Sequence, residues 1–340
     1  MFKNCYQKAQ VLILAGLILF STHPAGAWGF FAHKRINRLA VFSLPPEMLT
    51  FYKYHINYLT DNAVNPDRRR YAVVDEAPRH YIDLDVYGDS AAYKMPKYWK
   101  EAVAIYTEDT LKAYGIVPWH INTMRYRLVE AFKNQDIPRI LSLSADIGHY
   151  IGDANVPLHT TSNYNGQYTN QYGIHGFWES RLPELFAEGY SYWTRPAELI
   201  RDPQAEAWSA VRKANMALDS VLGFEKSLKE QIGEDKAYGF DDRNGITTRS
   251  YSQSFSKAYH DALNGQVERR MLASIQMVGD FWYTCWIEAG QPDLNKLLEQ
   301  KLTEQQKKAL ENEPIPAGKP LDVRPHESHF MGFQRLMAKN

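Results

Sequence analysis

The chain has 340 residues, enough for one large domain or two average ones. Its 39 Lys and Arg balance 39 Asp and Glu, and 44% of residues are hydrophobic. That excludes both a disordered chain and a polycationic surface steered to nucleic acid or anionic lipid. Two cysteines are too few for a disulfide scaffold or a thiolate zinc cluster.

In chain order, residues 1–27 read as a secretory signal. Lys3 and Lys8 precede an apolar run from Val11 to Phe20, too short to span a bilayer, and Ala25-Gly26-Ala27 is a small-residue cleavage site. Cleavage there removes Cys5, two lysines and no acid. The mature chain is then expected to begin at Trp28, to be slightly acidic, and to reside in the periplasm or outside the cell. Beyond Trp28 helical periodicity dominates, and no run alternates convincingly as a strand. Amphipathic stretches are expected from Pro45-Pro46 to Leu59, from Tyr98 to Tyr114 before Gly115, from Asn122 (as cap) to Phe132, from Pro138 to Asp153, and from Pro203 to Leu222. Val267, Met271, Ile275, Val278, Trp282 and Cys285 recur at steps of three and four, the spacing of one buried helix face. Cys285 on that face reads as an inert buried thiol. Thr161–Ile174 and Glu234–Asn264 lack periodicity and read as long loops. The expected fold is all-α: one multi-helix domain over residues 28–310 and a polar tail over 311–340.

The chemistry concentrates between His149 and Glu179. His149 and Asp153 are four apart on an expected helix, so both side chains leave one face. His175 and Glu179 repeat the spacing, and His159 follows Pro157, where the helix must have ended. One such pair is usually a surface hydrogen bond. Two pairs and a third histidine form a nitrogen and oxygen donor set of the kind zinc accepts without thiolates. Upstream lie Trp28-Gly29-Phe30-Phe31-Ala32-His33, Pro66-Asp67-Arg68-Arg69-Arg70 and Arg79-His80-Tyr81-Ile82-Asp83. Alone, each admits an ordinary reading: His33 a solvated helix residue, Asp67 a turn former, His80 a core histidine, Arg70 one solvated charge in a run.

Together these motifs resemble, in order and over nearly all of the mature chain, the superfamily of zinc-dependent phospholipases C and trinuclear-zinc single-strand nucleases. The resemblance implies an all-α phospholipase C/nuclease fold with long loops around a metal cleft, and three Zn2+ per chain. One ion would take the free α-amino nitrogen and carbonyl oxygen of Trp28, with His33 and Asp153. A second would take Asp67, His80, His149 and the other oxygen of Asp153. The third would take His159, His175 and Glu179. Asp75 and Glu76 are alternatives for the upstream carboxylate, but they stand too close to His80 for the family pattern.

The same resemblance implies hydrolysis of phosphodiesters by an activated hydroxide. Asp67 would orient or deprotonate the attacking water, and Arg70 would offset charge on the phosphorane. Tyr150 and Asp146, next to His149, would fix ring tautomers. The run from His149 to His159 and the closing Glu179 look like the phospholipase C branch. The short Trp28-to-His33 spacing and the strings around Asp67 and His80 look like the nuclease branch, where positions matching Tyr81 and Asp83 hold a base. The substrate is therefore phospholipid or nucleic acid, with the tyrosines from Tyr164 to Tyr172 as further stacking candidates and a transient membrane-surface contact if it is lipid. A monomer without a stable protein partner is expected. The competing reading is a secreted zinc-stabilised domain without turnover.

Overall fold

Helices account for most of the computed structural model, which describes residues 29–243, 246–300 and 302–311. The expected signal, Trp28 and the tail beyond Glu311 lie outside those residues. Four helices carry the architecture: α1 (Gly29–Ala40), α2 (Val117–Lys133), α3 (Ile137–Ala154) and α4 (Gln266–Glu288). α3 packs against the other three, and its sequence shows why. Apolar or small residues occur all round it, from Ile137 through Ala154, and a helix with that pattern is stable only in the interior. Asp136 caps its start by accepting from the Arg139 backbone N–H at 3.3 Å.

Two close approaches fix α3 against its neighbours. Gly148 leaves room for the Asn37 amide, where a Cβ would lie 2.0 Å from its Oδ1. Asn37 Nδ2 donates from there to the carbonyls of Ala145 (3.0 Å) and Leu59 (3.3 Å), tying α1 to α3. The expected stripe on α4 is buried at every position, Cys285 included, and burial pushes the Cys285 thiol up. Trp282 on that stripe donates its indole N–H to the Ser144 carbonyl at 3.0 Å.

The helical stretches read from the sequence are present, with corrected boundaries. Pro46–Tyr54 and Ile56–Asp61 are separate helices, as are Trp99–Tyr106 and Glu108–Tyr114, divided at Thr107 with φ of 67°. The Thr107 hydroxyl accepts the Thr110 backbone N–H, so a cap interrupts the periodicity there. Pro203–Asn215 is followed by a distinct helix, Leu218–Ile232. Asn122 caps nothing. α2 starts five residues earlier with Pro118 in its first turn, and Asn122 accepts from the Arg125 guanidinium at 2.9 Å.

The largest departure is in Glu234–Asn264, expected as a loop. It holds a hairpin, β1 (Tyr238–Arg243) antiparallel to β2 (Ile246–Tyr251), and then a helix, Gln253–Ala262. Short polar strands do not alternate strongly enough to reveal themselves, yet Asn244-Gly245 between them is the favoured dipeptide for a tight hairpin turn. Thr161–Gly173 is irregular, as expected, and side chains stitch it together. Asp85 accepts from Thr161 and Ser162, and Gln171 donates to Glu225 at 2.6 Å.

Candidate metal centre

Eight of the nine residues singled out as ligands fall within the described chain, and all eight are buried. α1 supplies His33 from the same face as Ile36 and Ala40. The short helix Asn65–Arg69 supplies Asp67, and a one-turn helix, Ala77–His80, supplies His80. α3 supplies His149 and Asp153, one turn apart. The turn after it, Pro157–Thr160, supplies His159. His175 stands on a short helical turn, Ile174–Gly176. It runs into a π-type turn, Phe177–Arg181, that carries Glu179, so this pair does not sit on the regular helix its spacing predicts.

These side chains converge into three groups that could each hold a metal ion, their candidate ligand atoms lying within 4.8 Å of one another: His33 with Asp67 and His149; His80 with His149 and Asp153; and His159 with His175 and Glu179. The third matches the set that the resemblance implies. In the first, His33 stacks on the His149 ring at 3.8 Å between centroids, while its Nε2 stays 3.4 Å from Asp153 Oδ1, its expected shared ligand. Asp153 is the hub. Its Oδ2 lies 2.9 Å from His80 Nδ1 and 3.2 Å from His149 Nε2, and its Oδ1 lies 3.4 Å from His159 Nδ1.

Backbone carbonyls select which ring nitrogen faces inward. His149 Nδ1 donates to the Ala63 carbonyl at 2.8 Å, which turns Nε2 towards Asp67 and Asp153. His159 Nδ1 donates to the His80 carbonyl at 2.8 Å, which turns Nε2 towards His175 Nε2 (3.0 Å) and Glu179 (3.4 Å). Gly152 makes space for His33, since a Cβ there would lie 2.9 Å from its ring.

The electrostatics follow from this crowding. Burial pushes Asp153 up, but the His149, His159 and His33 imidazoles outweigh it and hold the carboxyl well below the usual range. Burial lowers His149, yet Asp153, Asp67 and the Ala63 carbonyl raise it to about 9. His33 is pushed down by burial and then by the neighbouring His149. Two buried polar atoms here, His33 Nδ1 and Asp153 Oδ1, make no hydrogen bond. Buried imidazole and carboxylate donors converging in this way could hold a metal ion.

No protein-family model and no curated protein sequence matches this chain. The functional reading therefore stands on the site itself.

Other singled-out residues fall around the clusters in different ways. Arg70 is 2% exposed, which removes the reading of a solvated charge. Tyr81 and Asp83 are buried as well. Of the loop tyrosines, Tyr164 meets the His175 ring edge-on at 6.0 Å, while Tyr168 and Tyr172 point outward. A small pocket beside His33 and Glu179 is lined by Ile36, Val156, Trp178, Val267, Met271 and Arg270.

Tyr150 donates to Glu76, and Asp146 pairs with Arg69 at 2.7 Å. Glu76, set aside on spacing, is a fully buried carboxylate behind His80. Its four-residue separation from His80 was the signal for it.

Proposed function

We propose that this chain is a secreted, metal-dependent phosphodiesterase of the zinc phospholipase C and single-strand nuclease superfamily, with a phospholipid as its first candidate substrate. The observation that carries the reading is the convergence, in three buried groups, of eight side chains drawn from motifs spread between residues 33 and 179. On this reading Trp28, freed by cleavage after Ala27, adds its amine beside His33, and the set holds three zinc ions.

When bound, zinc would supply an activated water nucleophile and neutralise charge on the phosphoryl oxygens. Asp153, reaching His33, His80, His149 and His159, would hold the three groups in register. Asp67, with Oδ1 3.6 Å from His149 and 3.7 Å from His80, would take the proton of the attacking water on its carboxylate. Arg70, in the turn after Asp67, would bind non-bridging phosphoryl oxygens through its planar fork. The apolar pocket wall beside Glu179 suits a lipid better than a polyanion, and the balanced charge agrees.

The second reading, a nuclease or nucleotidase of the same superfamily, is favoured by Tyr164, an aromatic ring at the His175 cluster on which a base could stack. The deciding experiment measures zinc by elemental analysis on the secreted chain. It then compares hydrolysis of short-chain phosphatidylcholine, single-stranded DNA and RNA, and bis-p-nitrophenyl phosphate, with and without chelator. Chelator-sensitive turnover of the lipid supports the primary reading, and turnover of nucleic acid alone transfers it to the second. Bound zinc without turnover of any diester would leave a non-catalytic metal domain.

A further inference from the structure

Glu76 is 0% exposed, and its carboxylate is surrounded by groups that leave it one orientation. Tyr150 donates its hydroxyl to Oε1, Arg79 Nη1 lies 2.5 Å from Oε2, and Arg69 Nη2 lies 3.8 Å from Oε1 while pairing with Asp146 at 2.7 Å. A buried carboxylate carries a desolvation cost, which this cage offsets. What the cage aims at is His80. Glu76 Oε1 lies 3.7 Å from His80 Nε2, on the ring edge opposite the cluster. The other ring nitrogen, Nδ1, faces Asp153 Oδ2 at 2.9 Å, His149 Nε2 at 3.1 Å and Asp67 Oδ1 at 3.7 Å. The His149 and His159 rings have backbone carbonyls at their outer nitrogens. Behind His80 stands a full negative charge.

We propose that Glu76 is a positioning residue: with Tyr150 it fixes the His80 ring with Nδ1 inward and strengthens that nitrogen as a donor to a bound divalent cation. This rests on the metal-site reading above. At 3.7 Å the Glu76 carboxylate acts on the outer ring edge through its charge, beyond hydrogen-bond distance, and a negative charge there raises the basicity of the inner nitrogen more than a neutral carbonyl does. The position built from His80, His149 and Asp153 therefore depends on a residue that touches no cation.

The test compares wild type, Glu76→Gln and Tyr150→Phe as full mature chains, by zinc content, by competition with a chromophoric chelator, and by melting with and without zinc. Glu76→Gln is expected to weaken one zinc position by roughly 10–100-fold and leave the others near wild type. Tyr150→Phe keeps both arginine contacts and loses only the hydroxyl that aims Oε1, so the same position should weaken by a smaller factor. It decides the matter if Glu76→Gln does not fold. Wild-type chelator curves in both variants overturn the proposal. So does equal weakening of every position together with a lower melting point of the metal-free protein, the mark of a purely structural residue. A wild-type chain that binds no zinc overturns the metal-site reading and this inference with it.

Discussion

The two halves of the candidate centre are built differently. His149 and Asp153 ride on α3, a helix enclosed by three others, and His33 is fixed to it through the Asn37 amide at Gly148. His159, His175 and Glu179 come from single turns on either side of an irregular segment, held by side-chain hydrogen bonds such as those of Asp85 and Gln171. The helical half is crowded with coupled charges. The loop half is a simple trio that matches the expected ligand set residue for residue. The comparison teaches that rigidity and metal dependence should run in opposite senses. The α3 half keeps its shape by packing, whereas the loop half has less to order it besides its ligands.

Asp153→Asn should break the helical half most completely, because this carboxylate reaches four histidines. The expected loss exceeds the roughly 10–100-fold typical of removing an outer partner, with two metal equivalents weakened together. Full metal content in that variant would end the hub role. Glu179→Gln should remove one equivalent and leave the other two, and limited proteolysis should then cut first within residues 161–173. Cleavage spread evenly over the chain would erase the distinction between the halves.

A subtler lesion is Gly152→Ala, whose new Cβ would press on the His33 ring. It should weaken the position that His33 serves while the His159–Glu179 trio binds as before, as differential chelator titration would show. Smallest is a pH effect on the metal-free protein. His149 has its pKa raised in the fold to about 9 from an ordinary 6.5. Its contribution to stability is therefore complete below about 6.5 and lost as pH rises through about 9. Melting temperature should decline across that window without metal and flatten with it, since metal binding displaces the His149 proton. A flat profile in the metal-free protein would show that His149 is neutral throughout.

Where periodicity is carried by buried apolar residues, as on α3 and α4, the sequence was readable almost to the residue. Where a polar cap interrupts the pattern, at Thr107, or where strands are short and solvated, at Tyr238–Tyr251, it was not, because apolar spacing carries no mark of either. The donor pairs His149/Asp153 and His175/Glu179 were legible for the same reason as the helices, since four-residue spacings are local, whereas His33, Asp67 and His80 were singled out through the family resemblance. What decides their use is not local. The carbonyls of Ala63 and His80 select inward-facing nitrogens from 86 and 79 residues away. Tyr150 serves Glu76 across 74 residues. Glu76 stands too close to His80 for the family's ligand pattern, and its place behind the ring belongs to the fold.

The Asn37 amide in the notch at Gly148 acts as a peg for the first helix. His33 lies about one turn from that peg, so its alignment is set from the inside and not by whatever precedes residue 29. A purification tag left at the front of the chain should therefore spare the His33 imidazole. If the Trp28 amine is a ligand as proposed, the tag costs that ligand alone, making tagged and trimmed proteins a ready-made pair differing by a single coordination bond.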